Sequence, residues 1–523
     1  MIHLIPYPQE IIEPEARIQI KLPISLHFSS DLEPIAILML KTLRSDWNCE
    51  FPTIMTPASA LSEQKDQSLV LKLDPSLKRE NYVLTITDHE ITIEGGNAAG
   101  IFYGFQTLRQ IFFNYFSPGK LSNTIPCFRI SDGPRFGWRG FMLDEARYFL
   151  GKDAVKKIFD WMGLLKFNRF HWHLTDDQGW RIEIPSYPKL TQIGSHRKGT
   201  PKYRNLNTSI DGVSHSGYYT QEDIRELVAY ARDRFIEIIP EIEMPGHAVA
   251  ALAAYPEFSC TGGPFEIDAF WGVHKDVFCP GNPQTIEFLQ TILKEILPLF
   301  PAPWIHIGGD EVPKNRWKSC PKCQNRIRTE QLTDEHHLQV VFTNEMVEFL
   351  AQLGKQTIVW NEVTDSRLDP QIVTQFWRGK FESITDFLKL GGRTIVSPSR
   401  EYYVDVVYQI LPLKRCYTHE PVPDTIEQPL RPQILGVEAE MWGEVFKSVE
   451  KMEYCAFPRT FAIAESAWTG SEKKDYDRFL ANIPFFYALW KKFGINYAPL
   501  HDADPSKWTS LKLRFTKGFG TYL

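Results

Sequence analysis

No run of about 18 or more apolar residues occurs in the 523-residue chain, so it offers no candidate membrane-spanning helix. Cysteine is scarce. Eight cysteines in a chain of this length are too few for a disulfide scaffold. A basic excess is also lacking: 58 Lys and Arg stand against 64 Asp and Glu, for a net charge of -6. With no basic stripe interleaved with aromatic residues, nucleic acid and other polyanions are excluded as expected partners. No Gly-x-Gly-x-x-Gly or phosphate-binding loop follows a strand-like segment, which removes the usual argument for a nucleotide site. The charged and apolar regions of a signal peptide are missing too, since Met1 to Pro6 passes directly into domain-like sequence. The expectation is a cytoplasmic protein if the chain is full-length, and otherwise a periplasmic or secreted one.

What is present fits a soluble, folded enzyme-sized protein. Hydrophobic residues at 43% and charged residues at 23% exclude a disordered chain. The length calls for more than one domain. The 14 Trp, 20 Tyr and 35 Phe suit either a large core or a site that stacks against flat apolar faces.

Residues 1–134 read as a small α+β domain. Ile35, Leu38, Met39 and Leu43 recur at helical spacing between Leu32 and Trp47, and Tyr82 to Glu94 alternates apolar and polar residues about a polar turn, as a half-buried hairpin does. A helix is predicted from Ala98 to Phe112. From Trp138 onward short apolar strands alternate with helices. The eight predicted strands are 140–144, 170–174, 236–242, 304–309, 357–360, 372–377, 394–397 and 434–438, with helices at 154–165, 221–234, 284–299 and 338–353 between several of them. Such alternation implies parallel strands, and eight units predict an α/β fold with a (β/α)8 TIM barrel over 135–500, followed by a C-terminal tail, 501–523, packed on it. An open doubly wound sheet is the alternative.

The barrel reading sorts the polar residues: those just after strands converge at one mouth, and those within strands pack. Asp144, Asp176, Asp177, Glu243, His247, Asp310, Glu311 and Glu444 all fall at or beyond strand ends. Carboxylates crowded without matching basic groups acquire raised pKa values, a condition useful to acid and base catalysis. A single such residue is as readily a helix cap or surface ion pair; the cluster is not. His171 and His173 share one face of a strand, which fits either a metal site or two satisfied barrel-interior histidines. Cys320-Pro-Lys-Cys323 has ligand spacing but supplies half a zinc site, so no metal is expected from sequence alone. Cys260 and Cys279 bracket a loop and would bridge only in an oxidising compartment.

The ordered motifs Gly100-Ile-Phe-Tyr-Gly-Phe-Gln-Thr-Leu-Arg109, Arg139-Gly-Phe-Met-Leu-Asp-Glu-Ala-Arg147, His171-Trp-His-Leu-Thr-Asp-Asp-Gln-Gly-Trp-Arg181, Pro240-Glu-Ile-Glu-Met-Pro-Gly-His247 and His306-Ile-Gly-Gly-Asp-Glu311 together resemble glycoside hydrolase family 20, the β-N-acetylhexosaminidases. The resemblance continues through Trp360, Trp377, the 397–405 segment and Trp442-Gly-Glu444. It implies exo hydrolysis of a terminal N-acetylhexosamine, without cofactor, by a retaining route in which the substrate's acetamido oxygen is the nucleophile. Glu311 then resembles the general acid and base, Asp310 the carboxylate that holds the acetamido N–H, and Tyr403 the donor to the acetamido oxygen. Asp176 and His247 resemble a relay that tunes Glu311. Trp360, Trp377 and Trp442 would wall the sugar, while Arg147, Asp405 and Glu444 would bind its hydroxyls. A carboxylate near the 6-hydroxyl disfavours a 6-sulfated sugar by like-charge repulsion. The implied partner is a carbohydrate with a terminal N-acetylhexosamine of gluco or galacto configuration. Two alternatives stand beside this one: a related activity that releases a disaccharide or a modified N-acetylhexosamine, and a non-catalytic sugar-binding barrel.

Overall fold

A computed structural model of the chain describes residues 2–21, 24–48, 53–55, 67–116, 122–202 and 209–505. The first unit is a seven-stranded mixed sheet in the order 10–12, 128–132, 82–86, 90–95, 68–73, 25–28, 53–55. The expected hairpin pairs Tyr82 with Gly95 and Ile86 with Ile91. Its apolar positions pack against two helices, Glu33–Trp47 and Ala98–Tyr115. Asn97 caps the second helix by accepting from the Gly100 amide, which relieves one unpaired N–H of its first turn.

Eight parallel strands then close into a barrel: β1 (Trp138–Asp144), β2 (Arg169–His173), β3 (Glu237–Glu241), β4 (Trp304–His306), β5 (Gln356–Trp360), β6 (Val373–Phe376), β7 (Arg393–Val396) and β8 (Ile434–Met441). β8 returns to β1, with Gly436 opposite Trp138. All seven residues of β1 are buried, as expected where helices cover the outside and side chains fill the inside. The predicted helices form at Lys152–Leu164, Gln221–Arg232, Pro283–Ile296 and Glu335–Gln352. Thr220 and Asp223 start the second of these with a reciprocal capping box. Between β5 and β6 there is only a single 3-10 turn, Asn361–Val363, which explains the weak helical signal there. No helix among the described residues is long and apolar enough to cross a membrane.

The two units meet over a buried polar cluster. Asp132 of the small domain accepts from the indole N–H of Trp468 at 2.9 Å and from Tyr82 at 2.6 Å, and pairs with the ammonium of Lys166 at 3.0 Å. Lys166 is 1% exposed, and its ammonium lies 4.4 Å from the Trp468 ring centre. Of the predicted tail, Asp502 and Asp504 accept from Tyr454 and Tyr476 of the helical layer. Residues from 506 onward lie outside the described residues.

Candidate active site

Every barrel strand delivers polar or aromatic side chains just beyond its C-terminal end, so the site is built by the barrel's closure. A glycine-dependent turn follows β4. Gly308 and Gly309 adopt φ of +65° and +98°, and a Cβ on Gly308 would stand 1.7 Å from Oε2 of Glu243. Only glycine fits there, because the left-handed backbone and the buried carboxylate both exclude a side chain. The turn presents Asp310 and Glu311 in succession. Glu311 itself has φ +49°, and His247, at the end of the β3 loop, has φ +47°. Left-handed backbone at non-glycine residues is costly, and here it falls on two residues that face each other.

His247 bridges two pairs of carboxylates. Its Nδ1 lies 3.0 Å from Asp177 Oδ2 and 3.3 Å from Asp176 Oδ1. Its Nε2 faces Asp310 Oδ2 at 3.7 Å and Glu311 Oε2 at 3.9 Å. The aspartate nearer the imidazole is thus Asp177, whose second oxygen accepts from the Val249 amide, while Asp176 turns its other oxygen to Arg147 Nη2 at 2.7 Å. Arg147 also reaches Asp144 at 3.3 Å and donates to Gln178, and its guanidinium sits 5.1 Å from the Trp442 ring centre. Glu444 lies close enough for its charge to act on Arg147. Asp405, 1% exposed, and Asp310 both act on Tyr403.

The aromatic residues form one continuous wall. Trp377 and Tyr403 stack at 14° with centroids 6.2 Å apart, Tyr403 meets Trp442 at 6.0 Å, and Trp442 meets Trp360 at 5.9 Å. Trp360 is fixed by donating to Glu241 at 2.9 Å. Packing of this kind pre-organises a flat apolar surface beside the carboxylates.

Electrostatics divides the carboxylates into two groups. Burial pushes the Asp310 carboxyl up to about 7, with His247 opposing and Glu241, Glu311 and Glu362 adding to the rise. Burial likewise raises Glu243 and Glu362. Burial also works against ionisation of Asp144 and Asp176, but Arg147 with His173 and His247 outweighs it and holds both below the usual range. His247 shows the converse. Burial opposes its positive charge, yet Asp176 and Asp177 raise it well above the ordinary imidazole value. The site therefore sets Asp310, pushed toward its protonated form, beside His247, pushed toward its charged form.

The structure brings Arg147, Asp176, His247, Asp310, Glu311, Trp360, Trp377, Tyr403, Asp405, Trp442 and Glu444 to the same end of the barrel. It also adds residues that the sequence reading passed over. The Glu311 amide donates to Glu362 at 3.0 Å, and Arg378 reaches both Glu362, at 2.8 Å, and Glu311, at 3.6 Å. Their signal was position, since each follows a barrel strand within two residues. The expectation that polar residues within strands simply pack needs amending. His171, Glu241, His306, Gln375, Glu438 and Glu440 point into the barrel and form a buried polar layer beneath the site. His171 is held between Glu438 at 2.8 Å and Glu241 at 2.9 Å, and Gln375 donates to Glu438 and Glu440 at 2.8 Å each. Alternate residues of every strand must face inward, and acidic side chains there pair with His171 and His306.

Comparison with known proteins agrees with this architecture. Residues 136–471 match the model of the glycosyl hydrolase family 20 catalytic domain, and residues 1–133 match domain 2 of the same family. A β-hexosaminidase of Porphyromonas gingivalis is 37% identical over 95% of this chain, which spans 64% of that relative's length. One from Akkermansia muciniphila is 33% identical over 85% of this chain and 91% of its own. Among solved structures, the family 20 exo-β-N-acetylglucosaminidase of Vibrio harveyi in complex with N-acetylglucosamine is 30% identical. It superposes with a TM-score of 0.84, covering 95% of this chain and 78% of that one.

Proposed function

The chain belongs to glycosyl hydrolase family 20, and from that membership we propose that it is an exo-acting β-N-acetylhexosaminidase. It removes terminal non-reducing N-acetyl-β-D-glucosamine or N-acetyl-β-D-galactosamine with retention of configuration. The observation that carries this reading is the pair Asp310 and Glu311, adjacent on one strand end, in two different environments. Asp310 is 9% exposed, and its Oδ1 has no hydrogen-bond partner among the described residues. It suits a ligand donor such as an acetamido N–H. The Glu311 side chain is 30% exposed, open to an aglycone oxygen and to water.

In this family the second carboxylate nucleophile of ordinary retaining enzymes is replaced by the substrate's own acetamido group. Asp310 accepts the acetamido N–H and stabilises the positive charge that develops as the carbonyl oxygen closes on the anomeric carbon. Tyr403 donates to that oxygen and aims it. Glu311 gives its proton to the departing glycosidic oxygen, then takes one from the water that opens the oxazolinium ring. Arg378 sets a positive charge beside Glu311 and Glu362. Trp360, Trp377 and Trp442 enclose the acetamido methyl and the sugar face, and Arg147, Asp405 and Glu444 receive the hydroxyls. Early time points of hydrolysis followed by proton NMR check the stereochemistry. The β-anomer of the free sugar is expected first, and initial release of the α-anomer would overturn the substrate-assisted route.

A further inference from the structure

Four of the eight cysteines, from two separate loops, converge on one place. Cys260 and Cys279 lie in the loop after β3, and Cys320 and Cys323 lie in the segment after Glu311. Their sulfurs all fall within 4.8 Å of one another. The measured separations are 3.6 Å for Cys279 and Cys323, 3.7 Å for Cys279 and Cys320, and 3.8 Å for Cys260 and Cys323. We propose that these four residues form a closed tetrathiolate site for a structural zinc ion.

The spacing is the first argument. Zinc–sulfur bonds of about 2.3 Å in a tetrahedron put the sulfurs about 3.8 Å apart, whereas a disulfide requires about 2.05 Å. The second is the shape of the backbone around them. Cys320 is the N-cap of the helix Pro321–Thr329, with proline at the first position, so Cys320 and Cys323 present both sulfurs from a single turn. Gly281 directs its amide at Cys279 and Cys323, the N–H to sulfur contact that stabilises a thiolate. A Cβ there would meet the Cys323 nitrogen at 2.3 Å, so the two halves of the site touch through backbone.

The third argument is enclosure. Cys279 and Cys323 are 0% exposed, and Val277, Trp317 and Leu338 complete a small core around the sulfurs that is separate from the main one. Four protein sulfurs leave no open coordination position, which suits a structural role. Binding would release the thiol protons and leave net negative charge on the site, with Arg316 near enough to act on Cys260.

Such an ion would join the two loops that carry His247 and Glu311. They are already laced together here: Trp317 donates to the Phe278 carbonyl at 3.0 Å, Arg326 to the Pro280 carbonyl at 2.8 Å, and Arg316 pairs with Asp276. The same β3 loop supplies the Phe270 carbonyl that receives Gln178, the neighbour of Arg147. The zinc fixes one side of the pocket without touching substrate.

The test uses the full chain, purified without chelator. Elemental analysis is expected to find about one zinc per chain. Protein made in cobalt-supplemented, zinc-depleted medium should show the visible bands of tetrahedral cobalt with sulfur-to-cobalt charge transfer. The double variant Cys320→Ser, Cys323→Ser should lose the metal and unfold at a lower temperature in a calorimetric scan. Because that variant can fail to fold, the cobalt spectrum of the unaltered chain is the independent criterion. Metal-free protein with four freely titratable thiols, a mass showing disulfides among the four, or iron in place of zinc would each overturn the proposal. None of these outcomes depends on the glycosidase reading.

Discussion

Exchange of Asp310 for asparagine removes a charge and keeps the shape of the side chain. In the native fold burial lifts this carboxyl from 3.8 to about 7. The folded state therefore holds a proton over a range where the unfolded chain has released it, so stability falls as pH rises from about 4 to about 7 and stays low above. A gap of about three pH units corresponds to about 4 kcal/mol. Asparagine carries no such cost at any pH. Asp310→Asn is thus expected to be more stable than the native protein at pH 8, by at most about 4 kcal/mol. Unfolding of all 523 residues as one unit has an entropy of roughly 1.1 kcal/mol/K, so the midpoint rises by at most about 4 °C. At pH 5 the gain shrinks to less than half of that. Turnover of an aryl N-acetyl-β-glucosaminide moves the other way and drops by about 10²–10³, the usual loss for a group that meets charge only in the transition state. Calorimetric scans at both pH values, beside kinetics, measure both effects. A variant less stable at pH 8, or equally shifted at both pH values, would refute the account of Asp310 as a buried carboxyl held against its solvation.

Other outcomes follow from the same geometry. Glu311→Gln should cut turnover by about 10²–10⁴ with little change in melting temperature, since that side chain is partly exposed and its backbone, not its carboxylate, bonds Glu362. A thiazoline mimic of the cyclic intermediate should bind at least about 10²-fold more tightly than N-acetylglucosamine in inhibition assays; equal binding would count against substrate assistance. Gly308→Ala combines left-handed backbone with a clash on Glu243, and a loss of at least about 2 kcal/mol in denaturation, together with reduced turnover, is expected. Glu444→Gln should raise turnover of a 6-sulfated aryl substrate relative to the unsulfated one, measured side by side.

Much of the fold was legible in the chain because barrel strands are buried on both faces and read as short apolar runs, so all eight strands were found and the polar residues beyond their ends gather at one mouth. Asp310 and Glu311 follow from a strand end, whereas Trp442 came only with the family resemblance. Other features depend on distance in space. Cys260 and Cys279 gave no metal signal, since the Cys320 and Cys323 half lies on another loop and only the fold joins them. The layer of His171, Glu241, His306 and Glu438 sits inside strands, where period-two patterning says which way a residue faces but not that an opposite charge awaits it. Asp177 shows a finer limit, for the resemblance puts Asp176 in the relay, while the rotamers set Asp177 at 3.0 Å and Asp176 at 3.3 Å from the His247 imidazole.

Lys166 gives the small domain a significance beyond its sheet. Cut away at the junction, the barrel would lose Asp132 and Tyr82, the partners of the Lys166 ammonium, and would bare Trp468, which now packs in the small domain's core. The catalytic barrel is therefore not a detachable module. A truncated barrel should be recovered poorly, and the bared Trp468 face, rather than the newly hydrated Lys166, is what anyone who wants the barrel alone must make polar.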